Sequence, residues 1–216
     1  MKFNNMKKII ALLALTICTT TFAQNKAKSL LDEVSAKVKS YENISIDFKY
    51  ALENLSENIK QETRGDVAMQ GDKYRLNILG STRIFDGKTL YSISPDDEEV
   101  TVSQENGDDE NSITPSKMLS FYEDGYTYKM DIVQNVRGRN IQYVKLTPMD
   151  SDSEIKNVLL GIDAQTKHIY NLIQIGKNGV KTTLTVNSFK TNEPLSKTLF
   201  TFDKSKYKNY YINKLD

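Results

Sequence analysis

Residues 26–50, KAKSLLDEVSAKVKSYENISIDFKY, change their hydrophobic period in mid-stretch. In the first part Ala27, Leu30, Leu31, Val34, Val38 and Tyr41 recur at intervals of three and four between Lys, Asp, Glu and Ser, which predicts one amphipathic helix. Beyond Asn43 the period drops to two. Ile44, Ile46, Phe48 and Tyr50 alternate with Ser45, Asp47 and Lys49, the pattern of a strand with one face buried. A helix hands over to a sheet at this junction.

Downstream the alternation persists. Val67 and Met69, then Tyr74, Leu76 and Ile78, read as strands punctuated by Gly65, Gly71-Asp72 and Gly80. Arg83 to Phe85 and Thr89 to Ile93 flank Asp86-Gly87, the strongest hairpin signal in the chain. Val100 and Val102 form a further short strand. After the polar stretch Gln104 to Ser112, Thr114-Pro115 supplies an N-cap and a first-turn proline for a short helix through about Tyr122. Strands follow at Tyr126 to Val133, Ile141 to Leu146, Val158 to Ile162 and Ile169 to Ile175. The last pair is Thr182 to Phe189, entered through Asn178-Gly179, and Leu199 to Phe202. About ten strands with helices only at the start and the middle predict a large antiparallel sheet rather than a parallel α/β fold.

Upstream of the helix, Lys2, Lys7 and Lys8 precede the apolar run Ile9 to Ile17, which is too short to span a bilayer. Thr21-Phe22-Ala23 then offers small residues suited to cleavage after Ala23. Residues 1–23 therefore read as an export signal and 24–216 as a single domain, placed in the periplasm of a cell with two membranes. The signal takes Cys18 with it, so the product contains no cysteine. It also takes three lysines and no acid, leaving 26 basic against 28 acidic residues. No basic field of the kind that condenses on phosphate backbones exists, so nucleic acid is not expected as a partner.

Little in the chain signals catalysis. His168, the only histidine, precedes a strand without an identifiable partner and reads as a turn residue. No Gly-x-Ser-x-Gly elbow, no G-x-G-x-x-G and no Walker loop occurs. The acidic runs Asp96-Asp97-Glu98-Glu99 and Asp108-Asp109-Glu110 lack the alternate spacing of a calcium loop and read as solvated turns. Near the C-terminus Lys204, Lys206 and Lys208 interleave with Tyr207, Tyr210 and Tyr211, as in a docked terminus or a surface contact. Neither enzymatic activity, cofactor nor metal is expected. A sheet with so few covering helices must curl on itself or leave a concave apolar face, and such a mouth suits an apolar ligand.

The hairpin Phe85-Asp86-Gly87-Lys88-Thr89-Leu90-Tyr91-Ser92-Ile93-Ser94-Pro95, running on to Glu99-Val100, resembles that of the LolA-like outer-membrane lipoprotein carriers. Gly65-Asp66-Val67-Ala68-Met69 and Tyr74-Arg75-Leu76 fall where that family has its preceding strand pair. Val144-Lys145-Leu146-Thr147-Pro148 and Phe200-Thr201-Phe202 match its later strand ends. The resemblance implies a mainly β, unclosed antiparallel barrel of about ten or eleven strands, with the N-terminal helix and the mid-chain helix as a lid. It also implies a monomeric carrier that takes lipoprotein acyl chains from an inner-membrane ABC transporter to an outer-membrane acceptor. Where the family has an Arg after the Gly-Asp strand, linked to opening of the lid, this chain has Gly71-Asp72 without one, and it has no Trp.

On this reading the acyl-chain cavity is lined by Ile46, Phe48, Tyr50, Val67, Met69, Leu76 and Ile78. The lid comprises Leu30, Leu31 and Val34 on the first helix and Met118, Leu119, Phe121 and Tyr122 on the second. Two alternatives stay open from sequence: a LolA-like carrier of another lipid or hydrophobic small molecule, and a β-rich interaction domain whose core is filled.

Overall fold

The computed structural model describes residues 26–104 and 114–215. The expected export signal, the polar stretch 105–112 and the second acidic run lie outside the described residues. Helix α1 covers residues 26–39 and ends in a turn at Ser40. The period change after it is real: β1 (Ile44–Asn54) begins directly.

Twelve strands form one sheet in the order β12-β6-β5-β4-β3-β2-β1-β11-β10-β9-β8-β7, slightly more than the ten or eleven expected. From β1 the chain steps outward by hairpins through β2 (Ile59–Gln70), β3 (Lys73–Ile78), β4 (Ser81–Phe85), β5 (Thr89–Ser94) and β6 (Glu99–Gln104). It then crosses to the opposite edge and steps back inward. The returning strands are β7 (Tyr126–Val136), β8 (Arg139–Pro148), β9 (Ile155–Asp163), β10 (Ile169–Gly176) and β11 (Lys181–Thr191), the last pairing with β1. Every pairing among these strands is antiparallel, and β7 is a free edge, so the sheet is unclosed. Register shifts in β1 at Asp47/Phe48, at both ends of β10 and in β7 after Met130 mark bulges, which bend strands and add twist.

Three sequence expectations are corrected. The mid-chain helix does not run through Tyr122: α2 spans only Pro115–Met118, capped by Thr114 Oγ1 accepting from Lys117 N–H, and a separate 3-10 turn holds Phe121–Glu123. Leu199 to Phe202 is not a strand. Its apolar alternation is satisfied instead by packing, with Phe200 buried and Phe202 stacked on Tyr91 at 4.5 Å between centroids. The extra strand is β12 (Tyr211–Lys214), which runs parallel to β6 and forms the other edge. The aromatic tail is thus docked, with Lys204, Lys206 and Lys208 exposed around it.

The expected hairpin at Asp86-Gly87 is present, as a three-residue loop. Asp86 Oδ1 accepts from the N–H groups of Lys88 and Thr89, and Gly87 takes a φ of 100° that side chains disfavour.

Apolar residues are sorted onto two faces. On the inner face α1 contributes Ala27, Leu31 and Val34 to a cluster with Tyr122, Val144, Leu146, Val158, Leu160, Ile162 and Ile169. Beside it, Ile44, Ile46, Phe48, Val67, Met69 and Tyr74 form a second cluster, with Leu184, Val186 and Phe189 packed against it. On β4 the adjacent residues Ile84 and Phe85 point opposite ways, and Ile84, Ile93 and Val100 join the tail's Phe202, Tyr207, Tyr210 and Ile212 on the outer face.

Candidate functional site

The connection from β6 to β7 has to pass nine strands, because those two lie near opposite edges of the sheet. Helix α2 sits on that connection, close to β2, and so lies over the inner face. Beneath it is a cavity of ≈ 80 Å³ with thirteen lining residues. The floor is Ile46 and Phe48 from β1, Val67 and Met69 from β2, Leu76 from β3, Ile169 and Leu172 from β10, and Leu184, Val186 and Phe189 from β11. The cover is Pro115, Met118 and Leu119. All thirteen side chains are apolar.

Register explains the floor. Ile46 is opposite Phe189 and Phe48 opposite Val186 on one side of β1, and Ile46 is opposite Val67 on the other, so one face of three adjacent strands is continuously apolar. Phe48 lies over Gly65, where an added Cβ would meet its Cζ and the carbonyl oxygen of Asn77 at 2.6 Å each. Glycine at 65 is thus the seat of the ring that forms one wall.

Of the seven expected cavity residues, the structure brings Ile46, Phe48, Val67, Met69 and Leu76 together at this cavity. Tyr50 packs with the same cluster without lining the space. Ile78 lines a different groove of ≈ 1120 Å³, which carries both signs of charge through Asp47, Glu62, Asp66, Lys49, Arg64, Arg137 and Arg139. Of the expected cover residues, Met118 and Leu119 line the cavity. Leu31, Val34 and Tyr122 are buried in the neighbouring cluster, and Leu30 and Phe121 pack against it. Sequence reasoning missed Pro115, Ile169, Leu172, Leu184, Val186 and Phe189. The alternation of Leu184 and Val186 with threonines was a usable signal, but their adjacency to β1 is a long-range pairing.

The cover is tied down by polar contacts around Glu123. Its carboxylate accepts from Ser35 Oγ at 2.5 Å and from Lys39 Nζ at 2.9 Å, both on α1. Its backbone carbonyl accepts from Tyr128 Oη at 2.9 Å. The bonds from Ser35 and Lys39 hold the Glu123 carboxyl below the usual carboxylate range. Next to it the Tyr122 hydroxyl is buried without a partner among the described residues, and burial pushes its pKa up.

His168 is more than a solvated turn residue. It is half-buried, its ring stacked on Phe189 of the cavity floor at 4.2 Å, and its Nε2 is 2.7 Å from Tyr41 Oη. No group of three or more His, Cys, Asp or Glu side chains suited to a metal occurs among the described residues.

Residues 39–203 match the family described as outer membrane lipoprotein carrier protein LolA. The chain belongs to the LolA family. No curated protein matches it in sequence. Solved structures share the LolA-like fold at low identity. An uncharacterized conserved protein from Thermus thermophilus superposes with a TM-score of 0.59 at 10% identity, over 88% of this chain and 99% of that one. The Mycobacterium tuberculosis lipoprotein LppX superposes with a TM-score of 0.52 at 14% identity, over 78% of this chain and 98% of that one. These likenesses concern the LolA-like fold alone. Among the described residues no helix is long and apolar enough to cross a membrane.

Proposed function

We propose that this LolA-family chain is a non-enzymatic carrier that shields the acyl chains of lipoproteins as they cross the periplasm, from an inner-membrane ABC transporter to an outer-membrane acceptor. The observation that carries the reading is the wholly apolar cavity under α2. A lining made wholly of apolar side chains suits alkyl groups.

Energetics favour the same reading. Burial is worth about 0.8 kcal/mol per CH2, so hiding a 16-carbon chain gives on the order of 12 kcal/mol gross. Release then requires that burial be partial or reversible. The cavity of ≈ 80 Å³ is well below the roughly 300–1,000 Å³ of ordinary ligand sites. Met118, in the four-residue helix α2, and Leu119, its C-cap, must therefore move outward for a chain to enter. The contacts of Glu123 with Ser35 and Lys39 tie the turn after α2 to α1.

The test is uptake of N-phenyl-1-naphthylamine and of a palmitoylated peptide by the protein without residues 1–23. Both should bind, and Phe48→Asp should abolish both while the protein stays folded. Native mass spectrometry of protein recovered from the periplasm should then show an acylated peptide or lipoprotein. A free lipid instead would point to the carrier of another lipid, and absence of any uptake would leave the filled interaction domain.

A further inference from the structure

Phe189, one residue of the cavity floor, is in contact with polar groups that stand behind it. Phe189, part of the floor, stacks under His168, and Tyr41 touches both rings, edge-on to His168 at 5.8 Å and tilted to Phe189 at 6.4 Å. The next residue, Ile169, also lines the cavity. Above Tyr41, 5.8 Å from its ring centroid, is Lys37 Nζ, which makes no ion pair among the described residues. The cluster therefore stands where the end of α1 meets the start of β10.

Tyr41 and His168 share one hydrogen bond, which has two arrangements. Where Tyr41 donates to Nε2, the neutral imidazole carries its proton on Nδ1, and that N–H has no partner among the described residues. Where Nε2–H donates to the phenol oxygen, the Tyr41 O–H has none among them. Either way one donor is left without a partner among the described residues, next to Phe189. Burial lowers the His168 pKa first, Lys37 lowers it further, and Asp163 opposes them, so the ring is neutral near pH 7 and this inventory applies.

We propose that Tyr41 and His168, assisted by Lys37, bind the polar end of an acyl chain: the carbonyl or carboxylate oxygen of an ester, amide or acid. The proposal rests on the carrier reading and adds an orientation to it. The chain's oxygen lies at the Phe189 edge, and its tail runs under α2 toward Phe48 and Val186. An acyl oxygen desolvated beside Phe189 without a donor would be penalised, so this pair selects acyl chains over alkyl ones.

The experiment compares binding of N-phenyl-1-naphthylamine, which has no carbonyl, with that of palmitate and an N-palmitoyl peptide. The proteins are the chain without residues 1–23 and its Tyr41→Phe, His168→Phe and His168→Gln variants, each checked for folding by thermal unfolding. Dye affinity should be unchanged, while affinity for both palmitoyl ligands falls about fivefold in Tyr41→Phe and His168→Phe, as for one lost hydrogen bond. His168→Gln, which keeps a donor, should recover part of the loss. Palmitate binding should also weaken with rising salt, because Lys37 attracts its carboxylate, and a salt-independent affinity would remove Lys37 from the site. Unchanged palmitoyl affinity in folded, dye-binding variants overturns the proposal, as does equal weakening of dye and palmitoyl ligands, which would make the pair structural. Failure of the unmodified protein to bind either dye or palmitoyl ligand would overturn the carrier reading itself.

Discussion

The two halves of the inner face are covered by very different helices. Under α1, Val34, Val144, Leu146, Val158, Leu160 and Ile162 are at most 1% exposed. Beside them Ile44, Ile46, Phe48, Val67 and Met69 retain 5–7%. Both floors carry the same kind of branched and aromatic side chains. What differs is the cover: fourteen residues of amphipathic helix (26–39) on one side, and Pro115–Met118 on a long crossing on the other. A helix that can lay a full apolar stripe on the sheet seals it, whereas one turn cannot. One half is thus the stabilising core and the other retains space.

The sharpest way to break this comparison is to truncate one residue on each side. Leu160→Ala should cost about 2–5 kcal/mol, the range for a sealed leucine, and leave dye affinity unchanged. Leu119→Ala, in the cover, should cost only about 1–2 kcal/mol because its surroundings are incompletely closed, and should speed dye entry. Chemical unfolding and stopped-flow fluorescence measure the two effects. Equal stability costs with no change in entry rate would remove the distinction between core and cover.

A second substitution sharpens it within the sealed half. Tyr122 is about 1% exposed, and its hydroxyl has no hydrogen-bond partner among the described residues. An unmet buried hydroxyl is costly, so Tyr122→Phe should raise stability by about 1 kcal/mol, read as a higher urea midpoint at unchanged slope. A loss of stability instead would mean that the hydroxyl meets a partner in solution.

The same asymmetry shows what the sequence made legible. The α1 stripe and β1 to β6 could be read because their patterns and turns are local: helix period, strand period, then hairpins. Half of the cavity floor came with them, through Ile46, Phe48, Val67, Met69 and Leu76. The half from β10 and β11 did not, because the pairing of Ile46 with Phe189 joins distant parts of the chain. The first part of β2, Ile59 to Arg64, was hidden for another reason. It is mostly polar on both faces, held by backbone pairing to β1 and by charge pairs such as Lys49 with Glu62 at 3.1 Å. At Leu199 to Phe202 the converse occurred: apolar alternation fixes which residues are buried, and says nothing of whether a neighbouring strand is available.

The smallest predicted effect concerns the tie between the two covers. Glu123 joins the 3-10 turn after α2 to Ser35 and Lys39 on α1, and its folded-state pKa is lowered by those bonds. A carboxyl whose pKa is depressed on folding stabilises fully above its unfolded value, and that contribution is lost as pH falls through the folded value. Because the group is partly exposed, the stability at stake is modest, within about 0.2–1 kcal/mol for such pairs. Its larger consequence should be kinetic. Dye entry should accelerate as pH drops below the ordinary glutamate range near ~4, and Glu123→Gln should enter at the fast rate across neutral pH while losing that pH dependence. Lys39→Met should give part of the same acceleration, since the Ser35 bond remains. An entry rate indifferent to both substitutions would show that α2 opens without releasing α1, and that the sealed and unsealed halves of the face are mechanically independent.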